Sequence, residues 1–207
     1  MMTYMFPPKP TLITISQPMF KKLEADPDYV AELKLNGTRL ELHVFNSGER
    51  FEFWNRHKKL LKYEPSKELL EHLKMIKWEG DCIVDGELMH FKTTHIKHRI
   101  VLWDVFIWNG EFQGGKSYVE RRAILEKAFG SLAFMDLYIN PQYKTGFRTI
   151  YEEHIKKDEV EGLVMKSLKA KLIIGKRDCP VVKYMWKVRK PGPSYRGGET
   201  WRTDHQK

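Results

Sequence analysis

Between Tyr29 and Phe45 the chain reads Tyr-Val-Ala-Glu-Leu-Lys-Leu-Asn-Gly-Thr-Arg-Leu-Glu-Leu-His-Val-Phe, two alternating runs around an Asn-Gly pair. Alternation of period two points to strands. Leu33 and Leu35 share one face, which sends Glu32, Lys34 and Asn36 to the other. An Asn-Gly pair between two such runs predicts a β-hairpin turning at Asn36-Gly37, with Lys34 a solvated side chain. The polar signatures downstream argue for a chemical role at Lys34 instead.

With 207 residues, the chain has material for one large domain, or one domain with a tail. Lys and Arg number 36 against 27 Asp and Glu, so the formal charge is +9, the balance of a protein that meets phosphate. The basic residues run along the whole chain, unlike those of a histone-like tail. Two cysteines, Cys82 and Cys179, are too few for a disulfide framework or an all-cysteine zinc site, and both are expected as reduced thiols. No charged-then-apolar leader and no apolar run near ~18 residues argues for secretion or a membrane span, so the cytoplasm is the expected compartment.

Residues 1 to 28 carry five prolines, which predicts a surface lead-in with a short helical turn at Met19 to Glu24. Arg50 to Trp54 reads as a strand. Leu69, Leu70, Leu73 and Ile76 mark an amphipathic helix, with Pro65 in its first turn. Cys82 to Phe91 and Arg99 to Trp108 return to strand character. Ser117 with Glu120 is a capping box for a helix that Gly130 can end, and Thr149 with Glu152 repeats the device. Val160 to Lys166, Lys171 to Ile174 and Val181 to Val188 read as strands, before a Pro, Gly and Arg-rich tail. The expected class is α+β, largely antiparallel sheets with packed helices, organised as a domain over 1–189 and a basic tail over 190–207.

In order, the polar signatures on these strands are Lys34-Leu-Asn-Gly-Thr-Arg39, Asn55-Arg56, Asp85-Gly-Glu87-Leu88, Trp103-Asp104, Glu161-Gly-Leu-Val-Met-Lys166 and Trp186-Lys187-Val-Arg189. One such hexapeptide is weak, but six in order are strong, because independent coincidences multiply. The set resembles the covalent nucleotidyltransferase superfamily of ATP-dependent nucleic acid ligases and messenger-RNA capping enzymes, over roughly residues 15 to 190. The resemblance implies two packed, largely antiparallel sheets with flanking helices, an ATP-grasp-like domain. It also implies ATP as the nucleotide and Mg²⁺ or Mn²⁺ as the metal. Lys34 matches the nucleophile that attacks the α-phosphate. Lys166 and Lys187 match the two phosphate-binding lysines, with Arg189 a further cation beside them. Glu161 matches the carboxylate that helps hold the metal, and Glu87 the residue at the ribose hydroxyl. Arg39 and Arg56 resemble arginines that reach the nucleotide or the nucleic acid phosphate. Trp103 stands where ligases present an aromatic to the purine, and Glu32 where the adenine amino group is read.

Two departures qualify the resemblance. Asn36 replaces the aspartate of the commonest K-x-D-G form, keeping turn chemistry and removing a carboxylate. The 18 residues after Arg189 are too few for the OB-fold domain that most such ligases append. The resemblance therefore implies a minimal, monomeric, single-domain ATP-dependent polynucleotide ligase. It would charge Lys34 with AMP, pass AMP to a 5′-phosphate and seal a nick in a duplex, DNA favoured, with no membrane partner. An RNA ligase or RNA-to-DNA joining enzyme, a GTP-dependent capping guanylyltransferase and a non-catalytic nucleic-acid binding module stay open as alternatives. The segments Thr93 to Arg99 and Lys190 to Lys207 are expected duplex contacts, acting through phosphates.

Overall fold

A computed structural model describes residues 2–191, so residues 192–207 of the expected duplex-binding tail lie outside the described residues. The strands are β1 (Lys9–Leu12), β2 (Tyr29–Leu35), β3 (Thr38–Phe45), β4 (Arg50–Trp54), β5 (Cys82–Met89), β6 (Arg99–Trp108), β7 (Glu111–Phe112), β8 (Leu137–Ile139), β9 (Gln142–Tyr143), β10 (Val160–Ser167) and β11 (Val181–Arg189). The helices are α1 (Pro18–Ala25), α2 (Lys67–Met75), α3 (Tyr118–Phe129) and α4 (Phe147–His154). One sheet has the order β1-β11-β10-β2-β9, and the other β4-β3-β5-β6-β7 with β8 beside β6. Pairing is antiparallel except for β1 with β11 and β6 with β8, so the α+β class with two largely antiparallel sheets is what forms.

The expected hairpin at Asn36-Gly37 does not form. β2 pairs with β10 and β9, while β3 pairs with β4 and β5, so Asn36-Gly37 carries the chain from one sheet to the other. Gly37 is needed for close approach rather than for a turn: a Cβ there would come within 2.5 Å of Glu87 Cγ and 2.7 Å of the Leu88 carbonyl oxygen. The Asn36 amide donates to the Asp158 carbonyl at 3.3 Å, and its backbone N–H donates to the Glu159 carbonyl at 2.8 Å. An aspartate could not make the first of these bonds, so asparagine here ties the crossing to the loop that leads into β10.

Leu40, Leu42 and Val44 of β3 pack with Val84, Leu88, Ile100 and Leu102 of β5 and β6 under Leu69 and Leu73 of α2 and Leu125 and Phe129 of α3. A second core sets Ala31, Leu163 and Met165 against Phe20 and Leu23 of α1 and Phe147 of α4. Leu35 packs with Met89 and Val101 across the two sheets, so the apolar side of β2 helps join them. Each Val, Leu, Ile, Phe or Met among them contributes about 1.5–3 kcal/mol on burial.

The capping box of Ser117 and Glu120 forms at α3, and Gly130 follows the helix at φ 57°. Ser66 caps α2, which leaves Pro65 just outside the first turn. Thr149 does not cap α4: that helix begins after Gly146, at φ 69°, and Thr149 lies within it. Lys171 to Ile174 is not a strand. It is held by an isolated bridge from Lys171 to Ser117, a bond from Leu172 N–H to the Gly114 carbonyl and one from Ile173 N–H to the Tyr184 hydroxyl at 3.1 Å, so the segment crosses the start of α3. Both cysteines are free thiols. Among the described residues no helix is long and apolar enough to cross a membrane.

Candidate active site

The site grows from three adjacent strands. β10 lies between β2 and β11, with Gly162 opposite both Lys34 and Arg189, Val164 opposite both Glu32 and Lys187, and Lys166 opposite Val30. Alternation along β10 sends Leu163 and Met165 into the core and leaves Lys166 on the other face. Glu161 would share the core-facing phase, but the register shifts between Val160 and Gly162, and the Glu161 carboxylate meets Lys34. Gly162 makes this local geometry possible: a Cβ there would lie 1.8 Å from the Val188 carbonyl oxygen.

Two carboxylate–lysine pairs result. Lys34 Nζ donates to Glu161, while Lys166 Nζ donates to Glu32 Oε2 at 2.7 Å and to the Tyr118 hydroxyl at 3.1 Å. Glu32 is 1% exposed, and its Oε1 accepts from the Tyr118 hydroxyl and from Gln142 Nε2 at 3.1 Å, with Arg122 Nη1 3.7 Å away. Burying a charge demands such compensation. Burial lowers the affinity of the Lys34 amine for its proton, against the opposing pull of Glu161 and Glu87. Burial lowers that of Lys166 too, with Glu32 opposing. Burial, then Arg189 and Lys34, brings the Lys187 amine down to about 8. Glu87 is pushed up to about 7 by burial, with Lys34 and Arg39 pulling it back, and its Oε1 accepts from Gly37 N–H at 3.1 Å.

The other sheet completes the cluster. Arg39 on β3 makes a two-pronged pair with Asp85 on β5, and the Trp103 indole N–H donates to Asp85 Oδ2 at 2.7 Å. Trp103 is half-buried rather than a core aromatic, with the Arg39 guanidinium 5.0 Å and the Lys166 ammonium 5.2 Å from its ring centre. The fold thus gathers Glu32, Lys34, Arg39, Glu87, Trp103, Glu161, Lys166, Lys187 and Arg189. The cluster is polarised: Lys34, Glu161, Glu87, Lys187 and Arg189 influence one another at one end, and Glu32, Lys166 and Trp103 meet Tyr118 at the other. Arg56 lies in the exposed loop after β4, its Nε against the His57 ring at 3.1 Å and its carbonyl accepting from the Cys179 thiol at 3.8 Å. In the segment Thr93 to Arg99, the Lys97 ammonium is tied to the His90 and Thr93 carbonyls.

Sequence reasoning missed Tyr118, Arg122 and Gln142. The capping box placed Tyr118 in the first turn of α3, yet no spacing rule links it to Glu32, 86 residues away. Gln142 sits on a strand of two residues, too short for alternation to register.

A lysine paired with a carboxylate among further cations, beside a half-buried indole and between two sheets, is an arrangement suited to gripping a nucleoside triphosphate and attacking its phosphate chain. The fold is similar to that of solved DNA ligase structures. Residues 10–99 match the family model described as ATP dependent DNA ligase domain. DNA ligase 4 of Aspergillus fumigatus is 26% identical over 182 residues, covering 69% of this chain and 18% of that protein. Among solved structures, mycobacterial DNA ligase D complexed with ATP and MES superposes with a TM-score of 0.65 at 17% identity, over 89% of this chain and 60% of that one. A Lig E DNA ligase superposes with a TM-score of 0.54 at 15% identity, over 88% and 69%. The chain thus spans less than a fifth of the fungal ligase and under two thirds of the mycobacterial structure.

Proposed function

We propose that this chain is an ATP-dependent DNA ligase acting through a lysyl-AMP intermediate at Lys34. The observation that supports this most is the convergence of five separated signatures, those of Lys34, Glu87, Trp103, Glu161 and Lys187, around one cluster that holds a partly buried lysine paired with a carboxylate. On this reading Lys34 Nζ attacks the α-phosphorus of ATP, so an N–P bond forms, the bond to pyrophosphate breaks, and the amine gives up a proton. AMP then passes to a 5′-phosphate, and a 3′-hydroxyl displaces it to seal the nick.

An ordinary lysine has a pKa of about 10.4, so supplying a free amine at pH 7 costs roughly 4.6 kcal/mol. Burial of Lys34 reduces that cost, whereas the Glu161 pair raises it. Lys187 and Arg189, on β11 beyond β10, would receive the phosphates and offset the charge developing on them. Glu161 and Glu87 offer carboxylate oxygens, hard donors that fit Mg²⁺ or Mn²⁺, and such an ion would supply further neutralisation of phosphate charge. At the other end, Trp103 would stack on the purine. Glu32 and Lys166, which pair with each other, would meet its edge. Nicked duplex DNA is the proposed substrate, and residues 190–207 the proposed basic tail.

The test is end joining on nicked duplexes that carry deoxyribo- or ribo-termini on each side of the nick, with ATP or GTP. The expected result is sealing of the all-deoxy nick with ATP. Sealing confined to ribo-termini would move the substrate to RNA, and sealing of neither would overturn the ligase reading.

A further inference from the structure

We propose that Tyr118 is a positioning residue for purine selection: its hydroxyl locks Glu32 and Lys166 side by side, as an acceptor and a donor that together fit the edge of adenine. The proposal rests on the reading of the site as an ATP-consuming centre and assigns a role to a residue outside the six signatures.

The geometry defines what the hydroxyl does. A phenol has one proton to give and lone pairs to receive. Tyr118 gives its proton to Glu32 Oε1 and receives from Lys166 Nζ at 3.1 Å, while Lys166 also donates to Glu32 Oε2 at 2.7 Å. The three groups close a ring. The Trp103 carbonyl, 3.0 Å from the same hydroxyl, is a second acceptor in reach, but the Glu32 carboxylate makes the shorter bond. Burial, then the Glu32 charge, keeps the phenol protonated at neutral pH. Glu32 is thereby held as an acceptor, with two of the three Lys166 donors committed.

The position of the hydroxyl is fixed from several directions. Tyr118 opens α3 and is 2% exposed. The next turn is bolted to β6, where Arg121 donates to both oxygens of Asp104 at 2.7 and 2.9 Å, one residue from Trp103. Arg122 donates to the Asn140 carbonyl at 2.7 Å, and the Asn140 amide donates to the Leu33 carbonyl at 3.0 Å, one residue from Glu32. The hydroxyl is therefore referenced to both the strand of Glu32 and the strand of Trp103. Adenine presents an acceptor ring nitrogen beside a 6-amino donor, whereas guanine presents a ring N–H donor beside a 6-oxo acceptor. A fixed ammonium and carboxylate complement the first and oppose the second at both atoms. Removing the hydroxyl leaves Glu32 Oε1 to Gln142 and the more distant Arg122, and frees the pair to turn.

The experiment measures lysyl-nucleotide formation with ATP, GTP and purine riboside triphosphate, which lacks the 6-amino group, for the parent chain, Tyr118→Phe and Gln142→Leu. The parent is expected to prefer ATP over both. In Tyr118→Phe that preference should fall about tenfold, mainly through KM, whatever happens to the melting temperature. Gln142→Leu, at a sheet edge, should move it the same way by less, and it carries the test if Tyr118→Phe does not fold. Preferences within about twofold of the parent in the folded variants would overturn the role of Tyr118. A parent that forms no adduct with any of the three nucleotides would overturn the ATP-consuming reading beneath it.

Discussion

At the scale of single residues, the site is a set of charges that would be intolerable alone. Lys34 and Glu161, Lys166 and Glu32, and Arg39 and Asp85 each bury opposite charges on different strands, and removing one member strands the other in a medium that solvates it poorly. Glu87 differs, because among the described residues no single lysine or arginine closes on it and burial pushes its carboxyl up to about 7. The sign of its contribution follows. Between pH 4.5 and 7 the folded protein binds more protons at Glu87 than the unfolded chain, so stability falls as pH rises through that window. Glu87→Gln keeps an oxygen for the Gly37 N–H and removes the charge. The variant should melt higher than the parent at pH 8, with the difference fading towards pH 4.5, while its ATP affinity drops. Equal melting temperatures at pH 8 in a calorimetric series would show that Glu87 is well solvated.

At the scale of elements, β10 holds the two halves of the site together. One shifted residue pair and one glycine turn Glu161 towards Lys34 while keeping Leu163 and Met165 in the core. Gly162→Ala places a methyl group against the Val188 carbonyl and must push β11 away, carrying Lys187 and Arg189 with it. We expect a loss of about 2–3 kcal/mol in denaturant unfolding, with nucleotide charging reduced more than that loss explains. Wild-type stability in the variant would mean that β11 is free to yield. The same element explains what could be read beforehand. Strands β3, β4, β6 and β11 and the cap of α3 were legible from alternation and local chemistry, as was the opposition of Leu33 and Leu35 to Glu32 and Lys34. The crossing at Asn36-Gly37 was not, because an Asn-Gly pair looks the same whether its glycine serves a hairpin or the approach of a distant strand. Thr149 and Lys171 to Ile174 failed for a related reason: caps and strands of a few residues are decided by tertiary partners.

At the scale of the whole molecule, two sheets with separate helical cores meet at Leu35, Met89 and Val101, and the polar cluster occupies the region where strands of both sheets deliver charge. The order of signatures along the chain pointed to most of the side chains that the fold gathers into one cluster. The pairings within that chemistry came only from the fold, since Glu32 meets Lys166 across 134 residues and Lys34 meets Glu161 across 127. The claim on which everything else stands is that Lys34 is a nucleophile rather than one half of a buried ion pair. Intact mass of the purified protein after incubation with ATP and Mg²⁺, beside Lys34→Ala, tests it most directly. A covalent AMP, removable by pyrophosphate, is expected on the parent, and none on the variant. A parent that carries no nucleotide with ATP or GTP, or a variant that carries as much as the parent, would contradict it.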